Sequence, residues 1–249
     1  MKFAFALLSF FISNILLSQD EERKEPTKEG MSYHDSRLKF TTPPYGLAKV
    51  KGLIKGIKFV EIEGDLGYRK LDDKKYKNLS LREKFTYNMI HAESYSQNCD
   101  AFPQVDDEHK KIFGYLLDGF DEYHWSERQT EFFKNNKDSV IAIMTESIKR
   151  TGKVGLNYKH AILESNAVSM IPFLVETYQK IKGQKDLDIL TLFVLMMKEN
   201  NDETFLKSAS YRKLYGDDSI YYSSHLDHNK ANEDLIIQRV TAFYNAHNK

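Results

Sequence analysis

Asp186-Leu187-Asp188-Ile189-Leu190-Thr191-Leu192-Phe193-Val194-Leu195-Met196-Met197-Lys198 holds the longest apolar run of the chain beyond its first 18 residues, broken from Ile189 to Met197 only by Thr191. Nine residues fall well short of the ~20 that a helix needs to cross a bilayer. A helix this apolar on every side belongs in the interior of a folded domain. Asp186 supplies a start signal and Lys198 a favourable cation at the end.

Outward from this run the chain keeps a helical cadence. From Gly46, Leu47, Val50, Leu53, Ile54 and Ile57 share one face while Lys49, Lys51, Lys55 and Lys58 take the other, which predicts an amphipathic first helix with a solvated basic stripe. Ser80-Leu81-Arg82-Glu83 is a capping box, and the helix it opens is expected to reach Asn98 with Leu81, Phe85, Met89, Ala92, Ser96 and Cys99 inward. Asp106 or Asp107 is expected to cap a helix burying Ile112, Leu116 and Phe120. A second box, Ser126-Glu127-Arg128-Gln129, precedes Phe132 and Phe133, and Asp138 starts a helix that Gly152 and Gly155 end. Helices follow over 157–164, 169–181, 186–198 and 203–215, and Asn232 caps a last one. Residues 62–77 and 216–230 read as loops, and Ile57–Ile62 is the best strand candidate. The pattern predicts an all-α fold of about nine helices in one domain over 43–249.

Composition narrows the function classes. Lys plus Arg and Asp plus Glu are 36 each, so the chain lacks the cationic surplus of a sequence-independent nucleic-acid binder. At 41% hydrophobic and 13% aromatic it is too apolar for wholesale disorder. The single Cys99 excludes an internal disulfide and every multi-cysteine metal site. Met1-Lys2, the apolar stretch Phe3–Leu17 and the abrupt polar turn at Ser18 have the three parts of a secretory signal. Residues 1–18 are therefore expected to be removed on export to a periplasmic or extracellular compartment. Residues 19–42, poor in apolar anchors before Leu38 and Phe40, are expected to form a mobile polar leader. No stable membrane span is expected in the mature chain.

Tyr158–Ala167 resembles the middle helix of an armadillo-type repeat. Val168-Ser169-Met170-Ile171-Pro172-Phe173-Leu174-Val175 is similar to that family's turn and Ile-Pro-x-Leu opening of the third helix. Asp186–Thr191 resembles the onset of a next unit. The likeness covers about residues 157–201, and Asn166-Ala167 stands where the family has Gly. What the resemblance implies is an irregular, right-handed armadillo/HEAT-like bundle presenting a helix-lined surface to a partner, with no catalytic set.

Polar clusters offer two candidate chemistries. His91-Ala92-Glu93-Ser94-Tyr95-Ser96-Gln97-Asn98-Cys99 is the densest group of reactive side chains, and a hydrolase site would draw on His91, Glu93 and Tyr95. On a helix, His91 and Glu93 diverge while His91, Tyr95 and Asn98 share a face, so a hydrogen-bonded group between helices is the favoured reading. His225-Leu226-Asp227-His228 is the one closely spaced histidine pair, and zinc is the ion it would suit. Asp72-Asp73, Asp106-Asp107 and Asp217-Asp218 read as helix starts and turns. Trp125, Tyr211, Tyr215, Tyr221 and Tyr222 could line a sugar or peptide surface, with ordinary packing the simpler explanation. No phosphate-cradling Gly-rich loop and no Gly-x-Ser-x-Gly elbow occurs. The expected function is therefore a non-catalytic module that binds a partner protein, with no catalytic residue, metal or cofactor assigned.

Overall fold

A computed structural model describes residues 26–64, 66–97 and 104–247. The described chain runs α1 (Lys28–Arg37), α2 (Leu47–Lys55), β1 (Val60–Glu61), β2 (Leu66–Tyr68), α3 (Asp73–Lys77), α4 (Leu81–Ile90), β3 (Ser94–Ser96), β4 (Lys111–Phe113) and β5 (Tyr123–His124). It continues through α5 (Glu127–Asn135), α6 (Lys137–Thr151), α7 (Leu156–Glu164), α8 (Ile171–Lys180), α9 (Asp188–Glu199), α10 (Glu203–Leu206), α11 (Ala209–Tyr215), β6 (His225–Asp227) and α12 (Lys230–His247). The expected export signal, residues 1–18, and Asn98 and Cys99 lie outside the described residues.

The apolar run forms α9, and every side chain from Asp188 to Met197 is buried. Helices α7, α8 and α12 and strand β4 close around it. Ile189, Leu190, Leu192, Phe193 and Val194 are fully enclosed, each contributing about 1.5–3 kcal/mol relative to exposure. The predominantly helical reading therefore stands. Helix starts also follow the sequence: Ser80 accepts from the Glu83 amide while Glu83 returns to the Ser80 amide, and Pro172 sits in the first turn of α8, where its missing N–H loses no bond. Asn166 occupies the left-handed region at φ 43°, a conformation Asn tolerates better than most residues and one that glycine would otherwise supply.

Several expectations are corrected. The fold is not all-α: β1-β2-β3-β5 form an antiparallel sheet, and β4 pairs with β6. The helix from Ser80 stops at Ile90, because His91 is extended at φ −151°, ψ 127° and residues 94–96 pair with β2 and β5. The side chain of Gln129 fixes this break by donating to the His91 carbonyl and accepting from the Glu93 amide. The helix expected after Asp107 is a single 3-10 turn, Glu108–Lys110, leading into β4. Asp107 itself is left-handed at φ 50°. Twelve α-helices are described where about nine are expected. Loop 62–77 contributes β2 and α3, and 203–215 divides at Ser208, whose hydroxyl caps α11 by accepting from the Tyr211 amide.

A further correction concerns the polar leader. From Pro26 onward its described part is tied to the fold, by Tyr33 buried in the main core and by charge. Met31 and Leu38 are exposed, whereas Arg37 is buried at 2% exposure. Its guanidinium donates to Asp188 at 3.1 Å and Glu108 at 2.8 Å and lies over the Phe113 ring. Burial pushes the Glu108 carboxyl up, yet the His34 and Arg37 contacts win and hold it below its usual range. The Tyr33 hydroxyl accepts from the Leu187 amide. Further on, Thr41 exchanges bonds with Asn157 and Gly155. A Cβ at Gly155 would stand 2.2 Å from the Thr41 nitrogen, so only glycine admits this strap.

Candidate functional site

Of the residues singled out at 91–95, His91 and Glu93 fold into a closed polar knot. Glu93 is fully buried. Its carboxylate accepts from the Tyr87 hydroxyl at 2.7 Å, the Ser126 hydroxyl at 2.6 Å and the Arg128 guanidinium. Arg128 also reaches the Leu71 carbonyl and Asp73 and lies over the Tyr76 ring. Gln129, with its four hydrogen bonds, links Asn88, His91, Glu93 and Ser126. His91 donates Nε2–H to the Arg69 carbonyl at 2.6 Å, and burial holds its pKa below the ordinary 6.5. Tyr95 points elsewhere, its ring 5.3 Å from Phe59 and 5.2 Å from Tyr123. The three residues do not converge on a cavity, and the Glu93 carboxylate is occupied by three neighbours.

The histidine pair is likewise divided. His225 donates Nδ1–H to the Ser223 carbonyl, while His228 meets Glu233, which also accepts from the Tyr178 hydroxyl. Among the described residues no group of three or more His, Cys, Asp or Glu is placed to hold a metal ion. No described helix is long and apolar enough to cross a membrane. Asp72 caps α3 as the sequence suggests.

A cleft lies elsewhere, with a volume of about 540 Å³, within the ~300–1,000 Å³ usual for ligand sites. It is lined by Asp118–Phe120 with Tyr123, His124 and Trp125, and by Lys134 on α5, His160 and Glu164 on α7, and Glu199 on α9. Trp125 is locked by its indole N–H, which donates to the Asn88 carbonyl at 2.7 Å, and by Phe133 at 4.5 Å. Phe120 is braced edge-on by Phe40. These aromatics present a stiff, low-entropy surface.

The part of the lining supplied by helices is electrostatically unusual. Helices α7 and α9 both end in glutamate, at Glu164 and Glu199. A carboxylate there faces the negative end of the helix dipole, the position that ordinarily favours a cation. The two helix ends are clamped together, because Asn166 and Asn200 exchange a pair of amide hydrogen bonds, each 2.9 Å. Lys134 pairs with Glu164 at 2.9 Å. Glu199 forms no salt bridge among the described residues; partial desolvation and then repulsion from Glu164 hold its pKa above 4.5 against the pull of Lys198. Asp118 adds a third carboxylate. His160 donates Nε2–H to the Leu117 carbonyl at 2.8 Å, and burial lowers its pKa, so near neutral pH it is uncharged with Nδ1 as acceptor.

Of the aromatics proposed from the sequence as a binding surface, Trp125 lines this cleft; Tyr211 and Tyr215 pack on each other, and Tyr221 on Tyr115. Glu164 and Glu199 escaped notice because 35 residues of sequence separate them. The available signal was Glu164 closing the predicted helix 157–164 against the dipole rule; the other helix was expected to end at Lys198, one residue before Glu199. Comparison with family models, with curated proteins and with solved structures finds no match for this chain.

Proposed function

We propose that the protein is an exported, non-catalytic module that binds another protein by gripping a basic segment of it in the Asp118–Trp125/α7/α9 cleft. The observation that carries this reading is the pair of clamped helix ends, each closed by a glutamate, lining one cleft with rigid aromatics. An ammonium or guanidinium group entering there would gain the field of two helix C-termini, a salt bridge to Glu199 and the ring faces of Phe120, Tyr123 and Trp125. The scaffold, on this proposal, is an irregular repeat-like bundle of the armadillo/HEAT kind. Pro172 at the start of α8 and the left-handed Asn166 support that cadence for α7–α9. Export rests on the signal-like residues 1–18.

Trp125 is the only tryptophan of the chain, so intrinsic fluorescence reads the cleft directly. A Lys/Arg-containing peptide is expected to change it saturably, more weakly as salt rises, and an acidic peptide of equal length is not. Glu199→Gln is expected to weaken the basic peptide about tenfold, or about 1.4 kcal/mol. Equal responses to both peptides, or none to either, would overturn the proposal.

A further inference from the structure

Strands β1 and β2 form a hairpin at the edge of the four-stranded sheet. Val60 stands opposite Tyr68, and the Ile62 amide donates to the Leu66 carbonyl at 3.0 Å, continuing the ladder by one pair. Side chains alternate between faces along a strand, so Val60, Tyr68, Ile62 and Leu66 form two cross-strand apolar pairs on one face. They are 41%, 36%, 66% and 52% exposed. On the other face Phe59, itself 46% exposed, lies across Gly67, where a Cβ would come within 2.3 Å of its ring, and packs edge-on against Tyr95. The apolar face is thus held outward by a packed hairpin. A row of exposed apolar side chains on an edge hairpin marks a contact surface.

Charge along the hairpin is polarised. Glu63 sits at the turn, beside Gly64 at φ 56°. Lys58 and Lys70 come two residues beyond Val60 and Tyr68, at the root. Stacked face to face about a two-fold axis with their strands aligned, two copies can be arranged in two ways. With strands parallel, the glutamates at the two turns would oppose each other. With strands antiparallel, the turn of each copy meets the lysine-bearing root of the other, and the apolar pairs stack across the axis. We infer that this face binds a second copy of the chain in the antiparallel, turn-to-root arrangement, an isologous contact in which each interaction occurs twice. The patch is smaller than the ~800 Å² per partner of a standard interface, so the association is weak and concentration-dependent.

Sedimentation velocity on the full chain, from about 5 to about 500 μM, a range that spans weak association, is expected to show a reversible monomer–dimer equilibrium. Ile62→Ser with Leu66→Ser is expected to weaken it at least about tenfold, with an unchanged far-ultraviolet circular dichroism spectrum. Lys58→Glu and Glu63→Lys should each weaken the dimer, and together restore most of it. Lys58 serves better than Lys70, which is also engaged by Asp73 at 3.3 Å. A monomer at every concentration overturns the inference, as does a dimer indifferent to Ile62 and Leu66 or a double charge swap that recovers nothing. Binding of the monomer to phosphatidylglycerol vesicles through Ile62 and Leu66 would assign the face to a lipid surface and overturn it too.

Discussion

Strands β3 and β5 lie side by side, yet the chemistry on either side of their ladder differs in kind. Behind β3, Glu93 and His91 are buried in a network where the Glu93 oxygens have neighbours of their own. Beyond β5, Trp125 and the glutamates of α7 and α9 surround open volume, and Glu199 lacks a salt-bridge partner among the described residues. The first region carries more reactive side chains per residue and has less capacity to do anything with them. A dense polar cluster signals function only where some of its valence remains unspent; saturated, it positions backbone. Here it ends α4 and turns the chain into the sheet whose last strand supplies the cleft wall.

The contrast can be broken most severely at Glu93. Glu93→Ala leaves Arg128 and the Tyr87 and Ser126 hydroxyls without their shared acceptor, and a loss of about 3 kcal/mol is expected in urea denaturation. The peptide affinity of the fraction that remains folded should be unchanged. A stability loss under about 1 kcal/mol would mean that the knot does not hold the fold as described. A smaller effect comes with pH. Both His91 and His160 have pKa values lowered by burial, so the unfolded chain binds more protons near pH 6. Stability is full above the ordinary imidazole value and declines as pH falls through it. Denaturation midpoints at pH 7.5 and 5.5 should differ in that direction, and less so in His91→Asn and His160→Gln; an unaltered slope in both variants contradicts the assignment. Smallest of all is the stability effect of Glu199→Gln, within about 0.5 kcal/mol, even as it weakens peptide binding.

Helices α5, α6, α8 and α9 were legible in the sequence because their signals are local: capping residues and apolar spacing act within one or two turns. The sheet was not, since strands of two or three residues are too short to display alternation. Helix α1 was missed for a different reason. Apolar counting weighs Met31 and Leu38, both exposed, and overlooks Arg37, whose burial depends on Glu108 and Asp188 brought from 71 and 151 residues away. In the cleft, Trp125 stood out as an aromatic, while Glu164 and Glu199 acquire meaning only when Asn166 and Asn200 join the ends of their helices.

The cleft's role is tested most directly by amide NMR spectra of the full chain titrated with a Lys/Arg-containing peptide. Shifts are predicted at Gly119, the Trp125 indole, Lys134, Glu164 and Glu199, with the signals of Glu93 and Gln129 left in place. A spectrum that moves at the 91–95 knot, or that does not move at all with peptide in excess, would contradict the account.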